Sequence, residues 1–454
     1  GCGDDDGPGP DLDGGLPVED GSTPVDASTD AGPGCEATPN AATYAFESRF
    51  EGGKSSVDAS GQIARHVLIQ ELVDSIDALT AELDANKLAT IEDGDIVERL
   101  DFYYHFDSDE SGDVKVGLTA TPPLLQRYMS DISTGKDLAA KFVGNDTSTD
   151  FKDWSTEFRG WSDDTIAANG GDVSTPEGLL TAFFETIEEQ ALAYQQGSPA
   201  EDPEGNELPV HVTASGLNLK ELTQKLLLVG ITFHQAADDY LDDDKEGSGI
   251  LASNDGPSAE GSPYTSLEHA WDEGFGYFGA ARDYGDYSDD ELASADGRAD
   301  WQGHHDTNDD GATDLLTEYN FGFSTNAAKR DRGAQDKTDF TKELWSAFIA
   351  GRHLIATAGA EPSKERLDAI RKERNRAILA WEKVIAATVL HYVNDTLQAM
   401  ELFTSDDYSF EDHAKAWSEM KAFALGLQFS PRSPLSDDDF ETFHQLVGDA
   451  PVLS

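Results

Sequence analysis

Cysteine is almost missing from this 454-residue chain, which has two, Cys2 and Cys35, both within its first 40 residues. Nothing beyond them can be stapled by disulfides, and no CxxC redox or metal-ligand pair exists. Basic residues are scarce too: 32 stand against 89 acidic ones, for a formal net charge of −57. Such a field repels nucleic acid and anionic membrane surfaces and attracts cations, so a nucleic-acid partner is excluded. Most of the acidity reads as adaptation to a salty milieu in which self-repulsion is screened. No run of 18 or more apolar residues occurs, so no segment has the sequence of a membrane-spanning helix. Nucleophile elbow, Walker loop and strand-like alternation are also lacking, residues 208–212 being the best strand candidate.

What is present is helical period. Apolar residues recur three and four apart over 62–83, 96–105, 177–194, 217–241, 266–278, 339–357, 363–403 and 411–427. The expected class is all-α: a large helical bundle, or two packed four-helix bundles, with long loops and little β. In the 363–403 stretch, Lys364, Arg366, Arg371, Lys372, Arg374 and Arg376 make a basic half that should pair with the acidic remainder. His234, His353 and His391 lie in apolar helices and read as core residues.

The first 40 residues are Gly, Pro, Asp, Ser and Thr with almost no large apolar side chain, a composition that cannot offset its ordering entropy. They read as a disordered acidic tether, and 41–454 as the folded domain. Gly1-Cys2 before such a tether looks like the end of a lipobox, with Cys2 acylated; a Cys2 to Cys35 disulfide is the rival. The lipid reading places the chain in a bacterial cell envelope, anchored by lipid on the periplasmic side or at the cell surface.

A calcium-type loop stands at 306–314. Asp306, Asn308 and Asp310 alternate, Gly311 permits a sharp turn, the Ala312 carbonyl follows, and Asp314 takes the ninth position. A full EF-hand needs a bidentate acid at the twelfth position, here Thr317, so Glu318 closes the site one residue late. His304 and His305 directly precede the loop. The stretch 107–113 matches only the first half of such a loop.

Several blocks resemble the bacterial DUF4856 family: Tyr44-Ala45-Phe46 with Ser55, Val57 and 60–65; 131–138 with Gly144-Asn145-Asp146; Glu268-His269-Ala270-Trp271-Asp272-Glu273-Gly274-Phe275-Gly276-Tyr277-Phe278-Gly279; 318–322; and Trp417-Ser418-Glu419 with 423–429. Together they cover roughly 43–453. The resemblance implies an envelope lipoprotein. More distantly the chain is similar to imelysin-type helical bundles, associated with iron uptake and once classed as metallopeptidases, although their GxHxxE pattern is not reproduced around Gly230 and His234.

On the 266–278 helix, Glu268, His269, Asp272 and Glu273 fall within about 140° of one face at about 100° per residue. Leu267, Trp271, Phe275 and Phe278 lie opposite, and Gly276 leaves room beside the polar face for a ligand or a backbone. His269 and Glu273, at i and i+4, suit a transition metal such as Fe or Zn. A capping box from Thr265 to Glu268, a dipole preference for Asp272 and Glu273, and a histidine bonded to a neighbouring helix compete with that reading. Two function classes follow. One is a calcium-stabilised, non-catalytic envelope lipoprotein that binds a metal ion, a metal chelate or a partner such as an outer-membrane transporter. The other is a metal-dependent hydrolase or peptidase of imelysin-like type, which needs a third ligand from another helix.

Overall fold

The computed structural model describes residues 42–88, 90–108, 112–147, 150–162, 166, 172–293 and 304–454. The periodic stretches form helices where the spacing predicts them: α1 (Ser60–Asp84), α2 (Asp95–Tyr104), α3 (Pro176–Gln195), α4 (Leu219–Leu227), α5 (Ser266–Phe278), α6 (Phe323–Gly333), α7 (Phe340–Ala356), α8 (Lys364–Glu401), α9 (Phe410–Leu425) and α10 (Asp437–Val447). Their starts follow capping chemistry: Thr175, Asn218, Ser363, Ser409 and Ser436 each accept an amide of the first turn. Gly94 offers α2 no side-chain cap, and Glu188 of α3 supplies one from outside, accepting the amides of Gly94, Ile96 and Val97 at 2.8, 2.9 and 3.0 Å.

Helices α6 and α10 were not evident from periodicity. The 208–212 stretch is no strand either: Val212 N–H turns back to the Pro209 carbonyl, and the described residues hold isolated bridges only. Proline inside the run breaks the ladder a strand would need. The class is all-α, as the sequence implies, but one contiguous apolar core runs from Tyr44 to Phe429, with a small satellite around Leu208 and Phe410, in place of two bundles.

Helix α8 packs along α7 and α9, and α9 along α4. Helix α5 is enclosed by α1, α7 and the continuation of α4. Close approach depends on glycine: a Cβ on Gly351 of α7 would lie 1.9 Å from the Trp271 ring of α5. Trp271 is fully buried and donates its indole N–H to the Phe348 carbonyl at 3.0 Å. The basic half of α8 meets acid as expected: Arg371 and Arg374 reach Asp243 at 2.8 and 3.0 Å. His391, by contrast, is 45 % exposed beside Asp395 and is no core residue.

Candidate functional site

Enclosure of α5 on several sides decides the fate of its polar residues. Glu268 accepts the Thr265 amide while Thr265 accepts that of Glu268, a complete capping box. Glu268 also receives Arg352 of α7 and Arg49, each at 3.3 Å. Asp272, fully buried, accepts Arg352 Nε at 2.9 Å and the Tyr44 hydroxyl at 2.7 Å, while its second oxygen has no partner among the described residues. Burial pushes the Asp272 carboxyl up, and Arg352 and Tyr44 pull it back. Desolvation opposes the Arg352 charge, but Asp272, Tyr44 and Glu268 hold its pKa above the usual range.

His269 and Glu273 leave this knot. His269 lies flat on Tyr264, with centroids 4.2 Å apart, and burial lowers its pKa. Its Nε2 stands 3.6 Å from Glu273, which accepts the Gln62 amide at 3.0 Å and is pushed up to about 7 by burial. The room expected beside Gly276 is filled by the start of α1: a Cβ there would lie 2.4 Å from that of its N-cap, Ala59, and 3.1 Å from that of Gln62. The four polar residues of α5 therefore do not gather around one ligand.

A different group does gather. Helix α4 continues as two π-helical turns, Leu228–Phe233 and Gln235–Tyr240. The Gly230 carbonyl is bonded from outside by Val143 N–H at 2.9 Å, and Thr232 bonds back to the Leu228 carbonyl at 2.6 Å, two contacts that loosen an α-helical ladder. Widened turns of this kind recur at functional sites. Gly230 admits the crossing chain, since a Cβ would lie 2.5 Å from the Phe142 ring. That crossing brings Asp150 to His234, whose Nε2 is 3.0 Å from Asp150 Oδ1. The other ring nitrogen is 3.4 Å from the Phe429 carbonyl and 4.0 Å from Asp238 Oδ2.

Both nitrogens of His234 thus face oxygen acceptors, whereas a neutral imidazole donates from only one. Two carboxylates and a ring in this order call for one more positive charge, a proton or a metal ion. Asp238 is 1 % exposed, accepts the Phe151 amide on one oxygen and has no partner for the other among the described residues. Burial pushes its pKa up to about 7, against the opposing pull of His234. One ligand atom from each of Asp150, His234 and Asp238 lies within 4.8 Å of the others, and among the described residues no other group of three carboxylate, imidazole or thiol ligands does so.

The 306–318 loop folds tightly on itself. Asp306 accepts the amides of Asp310 and Gly311 at 3.1 and 2.8 Å, Asn308 that of Asp310 at 2.9 Å, and Asp310 that of Ala312 at 2.9 Å. Positive φ at Asp309 (56°) and Gly311 (87°) makes the turn. Asp314 points elsewhere, accepting Gln126 Nε2 and Leu316 N–H, and buried Glu318 accepts Thr307 and Asp314 amides across the loop. His304 stacks on Tyr319, and His305 stands 3.3 Å from Asp283. Part of the 107–113 stretch, and both Cys2 and Cys35, lie outside the described residues.

A family model described as a domain of unknown function, DUF4856, matches residues 41–293, more than half of the chain. The chain belongs to the DUF4856 family. No curated protein and no solved structure gives a significant match. The DUF4856 match holds both the Asp150, His234 and Asp238 group and helix α5, whereas Arg352 and the 306–318 loop lie beyond it.

Sequence reasoning assigned His234 to the core and passed over its two carboxylates. His234 and Asp238 stand at i and i+4 in an apolar helix, a signal that was legible; Asp150, in a loop, gave none. Arg352 was missed as well, though a lone arginine in the apolar 340–356 run marks a buried partner for acid.

Proposed function

We propose that this DUF4856 chain is a non-catalytic metal-binding protein of the bacterial envelope, holding a transition metal at Asp150, His234 and Asp238. The observation that carries this reading is the buried Asp238 oxygen that has no partner among the described residues, beside an imidazole enclosed by acceptors. Imidazole with two carboxylates suits Zn, Fe or Mn. Ring edges of Trp154 and Phe429 close over His234, each with centroids 6.0 Å away. That enclosure favours a retained ion over the open coordination position that the hydrolase alternative requires. Calcium at 306–318, with Asp306, Asn308 and Asp310 as ligands, stabilises the same body. Acylation of Cys2 tethers it to the membrane, and the cargo is a metal ion or chelate, exchanged in one version with an outer-membrane transporter.

The test is metal content by mass spectrometry on the purified full chain, before and after chelation and reloading with zinc, iron or manganese. About one ion per chain is expected, lost in Asp150→Asn with Asp238→Asn and unchanged in Asp306→Ala. A stripped wild type that takes up none of the three metals, or a double variant that binds as much as wild type, refutes the reading.

A further inference from the structure

We propose that a cavity of about 300 Å³ walled by α1, α4, α6, α9 and residues 319–322 binds a small organic anion, a carboxylate or phosphate attached to an apolar or aromatic body. Charge gives the first argument. Of the 454 residues 89 are acidic, yet none of the fifteen lining this cavity is, and two of them are lysines. In a chain whose overall field repels anions, a wall free of carboxylates removes a local obstacle to an anion.

The two lysines differ. Lys225 of α4 is already paired, 2.6 Å from Glu221 and 3.1 Å from Glu419. The side chain of Lys329, on α6, has no hydrogen bond or ion pair among the described residues. Although the residue is exposed, partial burial of its ammonium and the like charges of Lys225, Arg330 and Lys415 lower its pKa, with Glu419 opposing. An ammonium held among cations is relieved by an incoming anion. Asn326, one turn before Lys329, also lines the cavity and offers an amide beside it.

The remaining wall sets the body of the ligand. Tyr319 and Phe321 stand with centroids 4.5 Å apart, and Phe423 of α9 adds a third ring. Most of the other lining residues are polar, Gln70, Gln224, Asn320 and Thr325 among them, and the volume is at the small end of the range for small-molecule sites. The cavity shares no residue with the Asp150, His234 and Asp238 group, so the two readings stand or fall separately.

Calorimetry and thermal melts on the full chain, stripped of metal by chelation and held at constant ionic strength, test the proposal with benzoate, inorganic phosphate and uncharged benzamide as probes. Benzoate or phosphate should bind with a dissociation constant of about 1 mM or tighter, roughly 4 kcal/mol, and benzamide should not. The stronger of the two anions tells a carboxylate site from a phosphate site. Lys329→Gln should weaken binding about tenfold or more, Lys329→Arg should keep it, and Asn326→Ala should weaken it a few-fold, serving as the test should Lys329→Gln fail to fold. Equal affinity in a folded Lys329→Gln, benzamide binding as well as benzoate, unchanged affinity in Asn326→Ala, or no binding of either anion by about 10 mM overturns it.

Discussion

Two clusters of buried carboxylates sit in one helical body and are treated differently. Around α5, Asp272 and Glu268 meet a guanidinium that belongs to the fold, Arg352, fully buried and also bonded to Ser56 at 2.8 Å. Around the π turns, the only cationic group that Asp150 and Asp238 meet among the described residues is an imidazole, and one Asp238 oxygen, like the second oxygen of Asp272, has no partner there. A cation built into the chain makes a permanent joint. Where the chain supplies less positive charge than its carboxylates require, the balance must come from solution, and the region becomes responsive to protons and metal ions.

The largest effect should come from breaking the first cluster. Arg352→Met leaves buried Asp272 without its ion pair and Glu268 with Arg49 alone, a loss of about 3–5 kcal/mol measurable by urea denaturation. A loss below about 1 kcal/mol would mean that the two clusters do not differ in kind.

The second cluster should instead show a pH slope. The Asp238 pKa is raised above its unfolded value to about 7, so its contribution is fully present below the unfolded pKa and is lost as pH rises through about 7. Metal-free protein should lose roughly 2–4 kcal/mol between about pH 5 and 8 from this group, Asp238→Asn should flatten the slope, and a bound ion should remove it. Urea melts at several pH values read this, and a slope identical in Asp238→Asn would assign it to another group.

Packing should be similar in both regions, which isolates charge as the difference. Gly276→Ala beside Ala59 and Gly230→Ala beside Phe142 force comparable overlaps, each costing about 1–3 kcal/mol. A tolerant Gly230 would show the π turns to be looser than α5.

The smallest effect belongs to the 306–318 loop. Calcium should raise the melting temperature, adding about 1.4 kcal/mol for each tenfold excess over its dissociation constant, and Asp306→Ala with Asp310→Ala should abolish the response. A persistent response would place calcium elsewhere.

Long helices were legible because they bury one stripe or more, which leaves a three- and four-residue period. Helix α6 escaped because Ala327 and Ala328, its buried small residues, give a weak period, and α10 because three aspartates open it and Phe440 with His444 are its only buried side chains. The 217–241 run read correctly as helix, but its hydrogen-bond register did not, since composition does not encode an outside donor to Gly230. On α5 the helical wheel grouped Glu268 with Asp272 correctly. Which neighbour they met was invisible, because Arg352 lies 80 residues beyond Asp272. In the Asp150, His234 and Asp238 group, two members are local to one helix and the third arrives through a loop from 84 residues away.

The front of the fold also has a mechanical character. Tyr44 stacks on Phe275 with centroids 3.9 Å apart and planes 3° from parallel, its N–H donates to the Arg282 carbonyl at 2.6 Å, and its hydroxyl is tied to Asp272. A pull on the chain ahead of this residue meets a buried ring before it reaches the first turn of α1. To yield, the protein must extract that ring and expose a carboxylate already paired with a guanidinium, so traction on the leading segment is borne by the core in shear and not by unwinding a helix end.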